Sequence, residues 1–185
     1  MRVISGIAAH RKLVSPPGNE IRPTTDRIKE TLFNILAPNL YGADFLDLCA
    51  GSGQIGIEAL SRGAASCVFV DEGKTAIDCI KKNVEVLNEV DSPYDIYRMS
   101  ASSAISKLYT SGKRFDIIFM DPPYDKEIEK EVLLMIDRYP VLKEDGFIVV
   151  EASDETEFDY LQGTRLEITR EKKYGSNKHI FIAYK

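Results

Sequence analysis

Asp121-Pro122-Pro123-Tyr124 follows directly on an apolar run that includes Phe115, Ile117, Ile118, Phe119 and Met120. An apolar strand in a parallel sheet delivers its last residue to the rim where open α/β folds bind ligands. Two prolines fix φ near about −65° and remove two backbone donors, so the turn presents mostly acceptors. Asp121 and the Pro122 carbonyl can take the two hydrogens of an exocyclic NH2 group, and the Tyr124 ring offers a face for stacking. Such a pocket suits methyl transfer to an amino nitrogen on a flat ring. The same residues also suit a plain strand-ending turn, since Asp-Pro and Pro-Pro both punctuate chains.

A second pattern lies upstream. Phe45-Leu46-Asp47-Leu48-Cys49-Ala50-Gly51-Ser52-Gly53-Gln54-Ile55-Gly56 reads as a buried strand, a glycine-rich turn and a helix start, with Gly63 at the helix end. Gly51, Gly53 and Gly56 match the dinucleotide fingerprint, and Asp71 falls 20 residues after Gly51, where a ribose-binding acid is expected. A nicotinamide enzyme is therefore one reading. Against it stands Asp47, four residues before Gly51, in a strand that a dehydrogenase keeps apolar because both faces are covered. A carboxylate there suits a cationic ligand. S-adenosylmethionine carries a sulfonium and an ammonium and has no pyrophosphate, so its site needs acids and close backbone approach. The candidate cofactor contacts are Asp47, Ala50, Gly51, Gly53, Asp71, Glu72, Ser100, Ala101 and Asp121. Among them Asp71 would take the ribose hydroxyls, and Asp47 the methionyl end, directly or through water.

The elements that must position these residues alternate along the chain. Strands are expected at 67–71, 96–99, 115–120 and 146–151, with helices at 74–87, 101–109 and 125–139. Together with the strand at 45–48, this order implies a parallel sheet with right-handed crossovers. Runs at 165–172 and 180–184, joined by Tyr174-Gly175-Ser176-Asn177, read as a closing antiparallel hairpin. Ahead of the first strand, 1–6 and 11–14 read as a small β-hairpin, followed by a helix with Thr24 or Thr25 as N-cap and Pro38 as stop. The division expected is an N-terminal hairpin and helix over 1–40, an RNA-binding extension, and a catalytic domain over 41–185.

A chain of 185 residues can bury a real core without disulfides or metal. Cys49, Cys67 and Cys79 form no C-x-x-C pair, and only His10 and His179 are available as partners. Reduced buried thiols with no nucleophilic role and no metal are expected. No secretory apolar region and no 18-residue apolar run occur, which points to a cytoplasmic protein off the membrane. The net charge of −5 hides an uneven distribution. Residues 1–30 hold six basic against three acidic side chains and residues 165–185 six against two, leaving the middle near −12. Basic ends on an acidic body suit a polyanionic substrate if both ends lie near the pocket, and equally suit solvated faces.

Met1-Arg2-Val3-Ile4-Ser5-Gly6, Arg22-Pro23-Thr24-Thr25-Asp26-Arg27 with the helix behind it, Asp47 to Gly53, Glu58 to Ala64, Asp121 to Tyr124 and Lys173-Tyr174-Gly175 together carry a resemblance. The chain closely resembles the bacterial RsmD family of 16S rRNA guanine-N2 methyltransferases, over nearly its whole length. The resemblance implies a Rossmann-like α/β fold of the class I S-adenosylmethionine-dependent type, a mostly parallel seven-stranded sheet. It implies methylation of guanine N2 in 16S rRNA, within the small ribosomal subunit or its assembly intermediate. Catalysis would fall to Asp121, Pro122 and Tyr124, and RNA binding to Arg2, Arg11, Arg22, Thr25, Arg27, Pro123, Lys173 and Tyr174. In the family an Asp or Asn often follows the third strand at the adenine contact; here Ser100-Ala101 stands there. An adenine-N6 DNA methyltransferase, a small-molecule or protein-amide methyltransferase, and a noncatalytic ribosome-assembly factor remain as alternatives.

Overall fold

The computed structural model describes residues 1–16, 26–124 and 126–185. Its strands are β1 (Asp44–Leu48), β2 (Ser66–Asp71), β3 (Tyr94–Arg98), β4 (Phe115–Met120), β5 (Leu142–Ser153), β6 (Leu166–Tyr174) and β7 (Asn177–Tyr184). The helices are α1 (Asp26–Leu40), α2 (Gln54–Ser61), α3 (Lys74–Asn83), α4 (Ala101–Thr110) and α5 (Ile128–Arg138). The strands form one seven-stranded sheet in the order β3-β2-β1-β4-β5-β7-β6. β1 to β5 run parallel, and β7 is antiparallel to both β5 and β6. This is the expected α/β sheet with its closing hairpin.

Successive side chains of a strand point to opposite faces, and a parallel sheet is covered on both. Phe45, Phe69, Ile117 and Phe119 pack toward Leu36 of α1, Ile57 and Leu60 of α2 and Ile80 of α3. Leu46, Val68, Ile118 and Met120 pack the other way, toward Ile105 and Leu108 of α4 and Val132 and Ile136 of α5. The chain runs outward from β1 to β3, then returns to β4 on the far side of β1. Loops leaving β1 and β4 therefore part in opposite directions and open a crevice at the C-terminal ends. Leu48 and Met120 are register partners at that rim, so the glycine turn and the proline turn start side by side.

The expected N-terminal hairpin is present in minimal form: Arg2 and Lys12 form an antiparallel bridge, Val3 N donates to the Arg11 carbonyl and Leu13 N to the Met1 carbonyl, both at 3.0 Å, but the pairing extends no further. The reason is that the intervening backbone hydrogen-bonds to α2 instead. Ile4 and Ser5 donate to the Glu58 carboxylate at 2.7 and 3.0 Å, Ile7 to the Ser61 carbonyl at 2.8 Å and Ala8 to Ser61 Oγ at 3.0 Å. Gly6 has φ +88°, and a Cβ there would lie 1.8 Å from the Ser61 carbonyl oxygen. Lys29 of α1 reaches the same Glu58 at 3.4 Å, with both side chains buried. Desolvation lowers the Lys29 pKa while Glu58 pushes it back up. Val3, Leu13 and Leu32 belong to the same hydrophobic cluster as β1 and β2.

Several element ends differ from expectation. α1 continues through Pro38 to Leu40; a proline removes one helical donor, and burial of Leu36 and Leu40 in the core holds the last turn. The proposed caps Thr24 and Thr25 lie outside the described residues. α3 ends at Asn83 and tightens into a 3-10 turn over Val84–Leu87. Asn83 is buried, and its amide serves other backbone: Nδ2 donates to the carbonyls of Ser52 and Val14, both at 2.9 Å, and Oδ1 accepts from Val14 N at 2.8 Å. β5 starts at Leu142, before a register shift opposite Phe115 and Ile117. α5 starts at Ile128, after a turn in which Asp125 is not described.

Candidate active site

Four carboxylates gather at the crevice, each carried there by a strand or the turn behind it. Asp47, 1% exposed, points from β1 under α2 and accepts the Gly56 N–H at 2.9 Å. Burial is the main reason its pKa is pushed up to about 8, with the Asp71 charge adding to the rise and the Gly56 hydrogen bond opposing it. Asp121, directly after β4, is also raised well above the carboxylate range, first by desolvation and then by the charges of Glu151 and Asp47. Asp71 ends β2 and Glu151 lies near the end of β5. A desolvated carboxylate regains its charge when a cation is placed beside it. The cluster therefore fits a cationic ligand such as S-adenosylmethionine.

The glycine turn supplies the approach. Cys49, Gly51 and Gly53 adopt positive φ of 57°, 55° and 75°. Asp71 holds this turn, accepting from Gly51 N at 2.9 Å and from Gly73 N at 2.8 Å. Both oxygens retain further acceptor capacity, which ribose hydroxyls can use. A Cβ on Gly51 would meet nothing within 4 Å, whereas one on Gly56 would lie 2.3 Å from Phe69 Cε1. Gly51 thus faces open space and Gly56 permits α2 to pack on β2. Ala50 is half-buried beside them, and Glu72 is exposed after β2. Ser100 caps α4, its Oγ accepting from Ser103 N at 3.3 Å, and Ala101 is buried behind it. The Cys49 thiol is pushed up to about 12 by burial and by Asp71, Asp121, Asp47 and Glu72. It stays protonated and is no nucleophile at neutral pH.

Beside this acidic well, Pro122 is buried, Pro123 is exposed and Tyr124 is 42% exposed. Asn177 Nδ2, at the start of β7, lies 2.7 Å from the Tyr124 hydroxyl and 3.3 Å from Glu151 Oε1. His179 Nε2 lies 3.2 Å from Glu151 Oε2. The Tyr174 ring meets His179 edge-on, with centroids 4.9 Å apart. A wall of the crevice is therefore built by the closing hairpin.

A family model described as conserved hypothetical protein 95 matches residues 1–183. Ribosomal RNA small subunit methyltransferase D of Escherichia coli (strain K12) is 36% identical over 155 residues, covering 84% of this chain and 76% of its own. The chain belongs to the RsmD family. YlbH of Bacillus subtilis (strain 168) is 44% identical over 175 residues, covering 95% of this chain and 94% of its own. The solved structure of yhhF from Escherichia coli superposes with a TM-score of 0.83 at 31% identity, covering 100% of this chain and 98% of that one.

The RsmD resemblance also nominates RNA-binding residues, and their surroundings divide them. Arg2 pairs with Asp26 at 3.0 Å and Lys173 with Asp154 at 2.7 Å, both on the surface. Arg27 is exposed on the first turn of α1. Arg11 is committed elsewhere: it donates to the Val86 carbonyl at 2.8 Å, to Asn88 Oδ1 at 2.5 Å and to Glu89 at 2.7 Å. That network pins the N-terminal segment to the end of α3. Arg22 and Thr25 lie outside the described residues. Met1 Sδ sits 3.7 Å from Ser52 Oγ, and Tyr174 pairs with Asn177 beside Tyr124. Met1 and the β6–β7 turn with Lys173 thus adjoin the crevice, whereas Arg165 and Lys185 lie at the other end of the hairpin. Glu151, Asn177 and His179 were missed in the sequence, which offers no motif joining a strand-five acid to a hairpin amide. No helix among the described residues is long and apolar enough to cross a membrane.

Proposed function

We propose that this RsmD-family chain transfers the methyl group of S-adenosylmethionine to N2 of one guanine in 16S rRNA. The substrate would be the small ribosomal subunit or its assembly intermediate, in the cytoplasm. The observation that carries this reading is the meeting of two desolvated carboxylates, the buried Asp47 and the half-buried Asp121, with an acceptor-lined proline turn and an exposed tyrosine at one crevice. The names of its relatives support rRNA as the substrate class. Residues 1–40 would act as an RNA-binding extension of a catalytic domain over 41–185.

When bound, S-adenosylmethionine supplies an electrophilic methyl on a sulfonium. The chain's own residues prepare the acceptor. Guanine N2 shares its lone pair with the ring and is a poor nucleophile. Asp121 and the Pro122 carbonyl accept its two hydrogens, orient the nitrogen in line with the methyl and support the positive charge that develops on it. Tyr124 offers its face to a guanine splayed out of the RNA, as base-modifying enzymes require. Asp71 and the Gly51–Gly53 turn hold the ribose end, and Asp47 supports the methionyl end through its charge. Proton loss follows transfer, so no strong base is needed.

The test uses S-adenosylmethionine with a labelled methyl, offered with unmodified small-subunit particles, free 16S rRNA and duplex DNA. Digestion to nucleosides should yield N2-methylguanosine from the ribosomal substrate. Label appearing as N6-methyladenine in DNA, or no incorporation despite cofactor binding, would overturn the reading.

A further inference from the structure

We propose that Asn177 is a positioning residue for Tyr124, and that Glu151 and His179 hold Asn177 in place, so that the closing hairpin sets the angle of the ring on which the target base stacks. The inference deepens the methyltransferase reading and rests on it. The prolines before Tyr124 restrict their own φ angles but leave the tyrosine side-chain torsions unset. A ring 42% exposed at the edge of an open crevice needs an outside contact to keep one orientation.

Asn177 supplies one such contact at 2.7 Å from the hydroxyl, across 53 residues of sequence. Its own orientation is determined by chemistry. Glu151 accepts only, so the amide must turn its nitrogen toward Glu151 Oε1 at 3.3 Å and offer its second hydrogen to the tyrosine oxygen. Its Oδ1 is then left beside Ser176 Oγ at 3.3 Å. Glu151 is 6% exposed, and His179, fully buried, holds its other oxygen at 3.2 Å.

The sheet backbone sets these distances. In the β5–β7 ladder Glu151 is the register partner of His179, and Ser153 of Asn177. Residues two apart share a face of a strand, which places Asn177 and His179 on the same side as Glu151. The bracket therefore begins in the β5–β7 ladder and ends on the hydroxyl of the turn residue. Glu151 is also close enough to raise Asp121 through its charge, so the groups that hold the ring and the group that meets the amine adjoin one another.

A double-mutant cycle tests this. Single-turnover methyl transfer would be measured with saturating S-adenosylmethionine and small-subunit particles for the wild type, Asn177→Ala, Tyr124→Phe and the double variant. Loss of one ordinary hydrogen bond predicts a slowing of about threefold to tenfold in each single variant. The double variant should be no slower than the slower single one. S-adenosylhomocysteine affinity should stay at its wild-type value in all three variants, and the rate losses should not follow the melting temperatures, as they would if Asn177 were merely structural. Multiplicative losses in the double variant, or a normal rate in Asn177→Ala, would overturn the inference while leaving wild-type activity intact. Absence of transfer by the wild type would instead overturn the methyltransferase reading itself.

Discussion

Asp121 and Tyr124 divide the work on the acceptor amine, and substitution separates their roles. Asp121→Ala should slow single-turnover transfer by about two or more orders of magnitude, the scale of losing one preorganised contact to developing charge. Binding of the RNA should survive. Tyr124→Ala should also be severe because it removes the stacking face, whereas Tyr124→Phe keeps the face and loses the hydroxyl that Asn177 meets. Equal losses in the two tyrosine variants would move the function from the ring to the hydroxyl. Asp47 makes a prediction about pH. Its carboxyl is raised from 3.8 to about 8 in the folded chain, so the unfolded chain releases this proton first as pH rises. Its contribution to stability is therefore complete below about pH 4 and is lost up to about pH 8, by at most about 1.4 kcal/mol per pH unit. Cofactor-free Asp47→Asn should gain on the wild type in melting temperature between about pH 5 and 8, by a few degrees per unit. Parallel melting curves across that range would show that Asp47 is already charged. The acids Asp47, Asp71 and Asp121 were legible because each ends or follows a short apolar run. Glu151 was not, because an acid at the end of a strand says nothing of the asparagine and histidine 26 and 28 residues later that give it a use.

At the scale of elements, the glycine turn joins cofactor binding to helix packing, and two of its glycines should fail in different ways. Gly51 has φ +55° with open space where a Cβ would stand. Gly51→Val would force a β-branched residue into the left-handed region, a strain of about 1–3 kcal/mol, and would fill the space of cofactor approach. S-adenosylhomocysteine affinity, measured by calorimetry, should fall by about tenfold or more. Gly56→Ala instead drives a methyl against Phe69 and Cys67, whose atoms lie 2.3 and 2.7 Å from that Cβ. It should cost about 1–3 kcal/mol of stability through overpacking. A melting temperature lowered by Gly51→Val alone, with cofactor affinity intact, would reverse the assignment. Runs with one clear period were legible nearly to the residue: β4 spans Phe115–Met120 and α4 Ala101–Thr110. The element ends that depart from expectation depend on contacts from elsewhere. Asn83 stops α3 because Val14 and Ser52 use its side chain, and the N-terminal pairing stays short because Glu58 and Ser61 receive the donors of Ile4, Ser5 and Ala8 between its arms.

For the molecule as a whole, topology brings the first residues of the chain and the tip of the closing hairpin, each carrying basic side chains, to one crevice. The sequence showed the uneven charge but not its placement, since only the fold sets Met1 beside Ser52 and Tyr174 beside the β7 start. The fold also gives one nominated residue structural work. Arg11 has three partners around the end of α3, so Arg11→Ala should lower stability more than RNA affinity. Arg2, Arg27 and Lys173 remain. Each phosphate contact made by such a cation adds about 0.7 to 0.9 to the slope of log affinity against log salt, from single strands to duplex. Arg2 and Lys173 already neutralise Asp26 and Asp154, and exchanging an exposed acid for a phosphate gains little free energy beyond the released counterions. Replacing Arg2, Arg27 and Lys173 by alanine should therefore flatten the salt slope by about two to three, with a modest loss of affinity at high salt. Cofactor affinity should not change. Titration of small-subunit particles with wild-type and triple-variant protein at several salt concentrations would measure both slopes. An unchanged slope would place the RNA on another face and leave the basic ends as solvated surface.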